Sequence, residues 1–65
     1  MNLKELEYVV AIADEKSLTK AAERLFITPS ALTQQVLRLE NELHAPLFIR
    51  SRSGWQPTEA GEIYL

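Results

Sequence analysis

Uncharged side chains that form hydrogen bonds are concentrated in one short stretch near the middle of the sequence. The stretch contains four of them: Ser30, Thr33, Gln34 and Gln35. Glutamine can pair with adenine through two hydrogen bonds, and threonine can offer a hydroxyl or a methyl group to a base edge. Arg38 follows about one helical turn later, and a guanidinium suits a phosphate. These residue types, at this spacing, predict a surface that reads duplex DNA and anchors on its backbone.

A helix over about residues 29–43 would place these side chains together. Its apolar residues lie within about 60° of one another on a helical wheel: Leu32, Val36, Leu39 and Leu43. The opposite face carries Ser30, Gln34, Leu37 and Asn41. Thr28 is predicted to cap the helix, because Pro29 is favoured at the first helical position. An ordinary amphipathic helix with a solvated polar face is the alternative interpretation of this pattern.

Two further helices are predicted before this one. Asn2 and Glu5 have the spacing of a capping box, and apolar residues follow at helical intervals: Leu3, Leu6, Val10 and Ala13, with Tyr8 and Val9 widening the stripe. Ser17 should cap a second, short helix, whose buried face is Leu18, Ala21, Ala22 and Leu25. A short helix, a tight turn and a longer helix have the dimensions of a helix-turn-helix, whose second helix enters the major groove.

After Pro46 the pattern changes to a predicted β-hairpin. Apolar residues at 47–49 and at Trp55 flank a polar turn, which places Arg50 and Arg52 at the hairpin tip, where they would reach phosphates or the minor groove. Trp55 is expected to cover the core rather than stack on a sugar. Thr58 should then cap a fourth helix, on which Ile63 and Leu65 have no local packing partner.

The acidic charge balance at first argues against a nucleic-acid partner. The 65 residues have a net charge of −2 and a pI of about 5.2. The distribution is uneven, however: one lysine faces four acids over residues 1–15, whereas four basic residues face one acid over residues 16–38. Because local fields matter more for association than the total does, the basic middle of the chain remains compatible with DNA.

Several other classes of protein are disfavoured. The sequence has no cysteine and a single histidine, His44, so disulfides and zinc sites are not expected. It contains no nucleophile–base pair and no glycine-rich phosphate loop, and 65 residues are too few to enclose a convincing pocket, so we predict neither an enzyme nor a cofactor. No apolar run approaches the length of a membrane span, and a cytoplasmic protein is expected.

Six blocks, in order and without gaps, resemble the N-terminal DNA-binding domain of bacterial LysR-type transcriptional regulators: Leu3–Ala11, Ser17–Leu25, Thr28–Val36, Leu39–Leu43, Pro46–Phe48 and Thr58–Gly61. The resemblance implies a mainly α winged helix-turn-helix over residues 1–57, with three helices and a two-stranded wing. It implies that residues 58–65 begin a linker helix that dimerises through a coiled coil and continues beyond this sequence. An effector-binding C-terminal domain is also implied.

The resemblance assigns DNA-facing positions to Thr28, Pro29, Ser30, Thr33, Gln34 and Arg38, and backbone or minor-groove contacts to Arg50 and Arg52. Gln35 joins this set because of its chemistry. The sequence departs from the family pattern at three places. His44 replaces a usual glycine, which requires a residue in the left-handed conformation or a different helix end. Leu37 replaces a frequent basic residue, and Pro29-Ser30 replaces Gln-Pro, which shifts the expected specificity towards Gln34.

The expected partners follow from this resemblance. They are double-stranded DNA, a second copy in a homodimer or tetramer of the full-length protein, and a small-molecule effector bound by the C-terminal domain. The isolated 65 residues are expected to be mainly monomeric, because the apolar seam that begins with Ile63 and Leu65 is shorter than one heptad in this sequence. The alternative is a winged helix that serves as a protein-interaction module, which predicts an apolar surface patch and no affinity for DNA.

Overall fold

The computed structural model of the chain describes residues 2–65 and contains the predicted helix-turn-helix. The helices are α1 at Leu3–Glu15, α2 at Leu18–Leu25 and α3 at Pro29–Leu43. An antiparallel hairpin of β1 (Phe48–Ser51) and β2 (Gly54–Pro57) follows, and then the short helix α4 at Glu59–Tyr64. The fold is therefore a mainly helical winged helix-turn-helix, as expected. Within residues 2–65, no helix is long and apolar enough to cross a membrane.

Side-chain caps start all four helices at the predicted residues. Asn2 Oδ1 accepts a hydrogen bond from the Glu5 amide at 2.8 Å, and Glu5 Oε1 accepts one from the Asn2 amide at 3.1 Å, which completes a capping box. Ser17, Thr28 and Thr58 each accept a hydrogen bond from the amide three residues ahead. These bonds are local in the chain, and for that reason the sequence predicts them well.

The predicted apolar stripe of α1 is only partly buried. Leu3 is 84% exposed, and Leu6 and Val10 are only half-buried. The buried residues of α1 are instead Glu5, Val9, Ala11 and Ile12. The apolar arc of this helix is wider than the surface that the core covers, and periodicity alone does not determine which part of the arc is used. The core takes the side around Val9 and Ile12 and leaves the side around Leu3 open.

The core lies between the three helices and the start of the wing. Its largest fully buried side chains are Ile12, Leu32, Leu47, Val9 and Val36. Ala21 and Ala22 are also buried, and their small side chains let α2 approach its neighbours closely. The apolar stripe of α3 packs inward as predicted, whereas Ser30, Gln34, Leu37 and Asn41 are all exposed. The predicted division of α3 into a buried apolar face and an exposed polar face is thus confirmed.

The wing is attached to the corner between α1 and α2. The Trp55 amide donates a hydrogen bond to the Lys16 carbonyl at 3.1 Å. Gly54, at φ 120°, lies so close to the same carbonyl that a Cβ would collide with it. The Trp55 ring is half-buried and packs on the core, with its centroid 6.0 Å from that of Phe48. The expectation that Trp55 covers the core is confirmed.

The direction of α4 is set by Thr58. Its hydroxyl donates to the Pro46 carbonyl at 2.7 Å while accepting from the Gly61 amide at 3.0 Å. The Thr58 amide donates to the Leu47 carbonyl at 2.9 Å. Ile63 and Leu65, beyond these anchors, are exposed as expected. Their use in a dimer, and the boundary at residue 57, remain predictions.

Three helices end in a left-handed residue that is not glycine. Lys16, Phe26 and His44 follow α1, α2 and α3 with φ of 54°, 59° and 55°. The left-handed conformation costs an L-residue with a Cβ about 1–2 kcal/mol. Of the two alternatives that the missing glycine left open, the structure therefore has the strained one, with His44 in the left-handed conformation.

Replacing His44 with glycine should relieve this strain. We expect His44→Gly to raise the free energy of unfolding by about 1 kcal/mol, measured by urea denaturation followed by circular dichroism. Glu42→Gly, inside the last turn of α3, is the matched control and should lower it by about 0.5 kcal/mol. Shifts of the same sign in both variants would contradict the strain assigned to His44.

Candidate nucleic-acid interface

The first two turns of α3 present polar side chains on one exposed face. Ser30 and Gln34 are one turn apart and exposed, and Thr33 is half-buried beside them. The first turn of α3 contains no acidic residue. Hydroxyl and amide groups on this face can donate and accept hydrogen bonds without repelling phosphates, which are the properties that base-edge recognition requires.

Thr28 and Pro29 form the entry to this face, and both are exposed. Thr28 Oγ1 accepts a hydrogen bond from the Ala31 amide at 3.1 Å, so its hydroxyl hydrogen remains free to point outward. Pro29 occupies the first helical position. The amides at a helix N-terminus and the helix dipole favour an anion there. The N-terminal end of α3 is thus suited to a phosphate.

Gln35 lies on a different side of α3 from Ser30 and Gln34. It is about 140° around the helix from Ser30 and half-buried against α1. There it lines a shallow cavity of about 230 Å³ with Arg38 and four residues of the α1 end: Asn2, Lys4, Glu5 and Tyr8. The structure therefore separates Gln35 from the face that it was predicted to share.

The same cavity reveals residues that the sequence analysis missed. Lys4 adds a second basic side chain beside Arg38. Glu5 is only 8% exposed, and its Oε2 is the buried side-chain atom of the described residues that has no hydrogen-bond partner. The capping spacing of Glu5 was visible in the sequence, but its burial against α3 depends on tertiary packing and had no local signal.

The two wing arginines have different surroundings. Arg50 was predicted to lie at the hairpin tip, but this prediction is wrong. It lies in β1 opposite Trp55. Its guanidinium lies 4.6 Å from the centre of the Trp55 ring and donates to Glu40 Oε1 at 3.0 Å. β1 therefore includes Arg50 and Ser51, which were expected to belong to the turn. Arg52 is in the turn itself and is exposed, so it is the arginine that the wing presents outward.

Glu40 connects α3 to the wing through three hydrogen bonds. Besides the Arg50 bond, its Oε2 accepts from the Leu47 amide at 2.7 Å and from the Phe48 amide at 3.3 Å. The Glu40 side chain is 12% exposed. Because both amides lie in a buried segment, the carboxylate satisfies donors that would otherwise lack partners. Glu40 therefore holds the hairpin against the far end of α3.

Part of the basic charge in the middle of the chain is neutralised. Arg24 donates to Asp14 at 3.0 Å and lies 3.4 Å from a Glu15 oxygen. The hydrogen bond to Asp14 raises the pKa of the Arg24 guanidinium, against a smaller effect of desolvation. The basic residues of this region outside that ion pair are Lys16, Lys20 and Arg38, and all three are exposed.

Comparison with known proteins identifies the family. A family model described as bacterial regulatory helix-turn-helix protein, lysR family, matches residues 3–62. The chain belongs to this family. The nitrogen assimilation regulatory protein nac of Klebsiella aerogenes is 54% identical over 63 residues, which are 97% of this chain and 21% of that protein. BudR of the same organism, an HTH-type transcriptional regulator, is 47% identical over 98% of this chain and 45% of its own length.

Solved structures of the family have the same fold. The DNA-binding domain of CbnR in a DNA complex superposes with a TM-score of 0.92 at 34% identity, over 100% of this chain and 75% of that chain. The DNA-binding domain of BenM in complex with benA site 1 DNA superposes with a TM-score of 0.90 at 40% identity, over 98% of this chain and 72% of that chain. The family relatives are transcriptional regulators rather than enzymes. The chain spans about a fifth of the length of the nac proteins.

Removing the Glu40 carboxylate should detach the wing from α3. We expect Glu40→Ala to lower the free energy of unfolding by about 2–3 kcal/mol, because two amides of a buried segment lose their acceptor. Glu42→Ala, two residues along on the exposed surface, is the control and should change it by less than about 0.5 kcal/mol. Urea unfolding measures both, and equal small changes would show that Glu40 does not hold the hairpin.

Proposed function

We propose that this chain is the sequence-specific double-stranded DNA-binding domain of a bacterial LysR-type transcriptional regulator. In this proposal α3 enters the major groove and the wing contacts the backbone or the minor groove. The main support is the exposed polar face of α3, whose first turn is free of acids. The domains of CbnR and BenM that share this fold were solved as DNA complexes, which supports DNA as the partner here.

Different residues have different proposed roles. Ser30, Thr33 and Gln34 contact base edges, since they lie on the exposed face of the first two turns. Thr28 and Pro29 place the helix N-terminus against a phosphate. Arg38 binds a phosphate beside the major groove. Arg52, on the wing, binds a phosphate on the other side or enters the minor groove.

Gln35 and Arg50 have smaller proposed contributions. Gln35 faces α1, and Arg50 must share its guanidinium between Glu40 and any phosphate. We assign both to the margin of the interface, where they support neighbouring contacts. Gln34 therefore remains the main candidate for sequence discrimination, because it is the exposed amide on the outward face of the first two turns.

The wider setting is also a proposal. The full-length protein acts in the cytoplasm as a homodimer or tetramer, and a small-molecule effector acts through a C-terminal domain. Ile63 in α4 and Leu65 directly after it are exposed, which supports a dimer seam that begins there. The 65 residues alone are mainly monomeric, because the six residues of α4 are fewer than one heptad.

Two substitutions on α3 should affect DNA binding differently. Once a cognate duplex has been selected from random DNA, Gln34→Ala should weaken binding to that duplex by about 1–3 kcal/mol and leave binding to random duplex nearly unchanged. Arg38→Ala should weaken both, and should reduce the slope of log affinity against log salt by about 1. Fluorescence anisotropy over a salt series measures these quantities.

Asn41→Ala provides the control, since Asn41 lies on the same face as Gln34 and two turns beyond it. It should leave both affinities unchanged. Parallel losses for Gln34→Ala and Arg38→Ala on cognate and random DNA would refute the division of roles. Binding that is absent or independent of salt, even when two domains are linked, would refute DNA binding itself.

A further inference from the structure

Leu37 is an apolar residue on the exposed polar face of α3. The other large apolar residues of this helix pack inward: Leu32, Val36 and Leu39 are buried, and Leu43 is half-buried against the core. Leu37 remains 48% exposed, and of the exposed large apolar residues in the described chain it is the one that lies on α3. The packing of the domain therefore does not require an apolar side chain at this position.

Leu37 points in the same direction as the proposed base-reading residues. On a helical wheel, Thr33 lies about 40° to one side of Leu37 and Gln34 about 60° to the other. Ser30 lies between Leu37 and Gln34, about 20° from Leu37, whereas Arg38 is about 100° away. If Thr33 and Gln34 meet base edges, Leu37 must also face base edges rather than the phosphates at the rim of the groove.

An apolar side chain in the major groove has one complementary partner. The base edges there present hydrogen-bond donors and acceptors, apart from the C5-methyl group of thymine. A leucine placed against a donor or an acceptor would displace water without replacing its hydrogen bonds, and each unpaired group costs free energy. A leucine placed against a thymine methyl group instead removes apolar surface from water on both sides. The same side chain thus favours thymine and disfavours the alternatives.

We propose that Leu37 determines specificity by packing on the C5-methyl group of a thymine. This inference rests on the proposed function, because it requires α3 to lie in the major groove. Gln34, one turn earlier, would recognise a base by hydrogen bonds, and Leu37 would recognise one by its methyl group. The chain would then discriminate between sequences with two chemically different contacts on one face of α3.

Removal of single methyl groups from the DNA tests this proposal. Once a cognate duplex has been selected for the 65-residue chain, each thymine in it is replaced in turn by deoxyuridine, which lacks only the methyl group. We expect one of these replacements to weaken binding about fourfold, which is the factor that corresponds to the burial of one methyl group. Fluorescence anisotropy measures the affinities.

Variants at position 37 connect the methyl group to the leucine. In Leu37→Ala the same replacement should change the affinity by less than about twofold, because the shorter side chain buries little of the methyl group. Leu37→Met keeps an apolar side chain of similar volume and should retain an effect of about threefold or more. Asn41→Ala, the control on the same face, should retain the whole effect.

The stability of Leu37→Ala separates recognition from folding. Leu37 is exposed, and leucine and alanine both favour helices, so this variant should unfold at nearly the same urea concentration as the parent chain. A change in folding alone would weaken binding to the thymine and deoxyuridine duplexes equally. The ratio of the two affinities therefore reports the contact itself.

Two results would overturn the proposal while DNA binding stands. In one, no replacement of a thymine weakens binding. In the other, the effect of deoxyuridine persists in Leu37→Ala, which would assign the methyl group to another residue or to the shape of the duplex. Absence of salt-dependent binding to any duplex would instead refute the proposed function, and this inference with it.

Discussion

The position of the wing relative to α3 depends on the Glu40 carboxylate. It accepts hydrogen bonds from the first two amides of the wing segment and from Arg50. Without it, a buried stretch of backbone around Leu47 would lack acceptors at the point where the chain turns from helix to strand. The same carboxylate lies on the inner side of α3, away from Ser30 and Gln34. The end of α3 beyond Arg38 thus serves as scaffold, and the part before it remains free for recognition.

Features that depend on neighbouring residues in the chain could be predicted from the sequence. The caps at Asn2, Ser17, Thr28 and Thr58 are such features, and so is the amphipathic face of α3. The buried side of α1 could not be predicted, because its apolar arc is wider than the core requires. Arg50 and Arg52 are two residues apart and looked equivalent, but strand pairing placed only the first beside Trp55 and Glu40.

The charge pattern along the chain could be predicted in the same way, but the pairing of the charges could not. The sequence showed a basic segment between two acidic ones, but not which basic residues were already bound. Arg24 lies within that segment, and its guanidinium is held by two carboxylates of α1. Lys4 belongs to an acidic segment, yet it lines a cavity with Arg38. The exposed face of α3 was predictable because one helix forms it, whereas the composite cavity requires the packing of two.

The attachment of the hairpin to Lys16 has a consequence for the choice of operator. A backbone hydrogen bond and a glycine contact join the wing to the corner between α1 and α2, and Glu40 joins it to α3. The hairpin and the helices are thereby braced as one rigid body with a set span between α3 and the wing tip. A duplex whose groove dimensions differ from that span must itself bend or narrow. In the proposed complex, the stiffness of base pairs that no side chain touches would then contribute to the selection of sites.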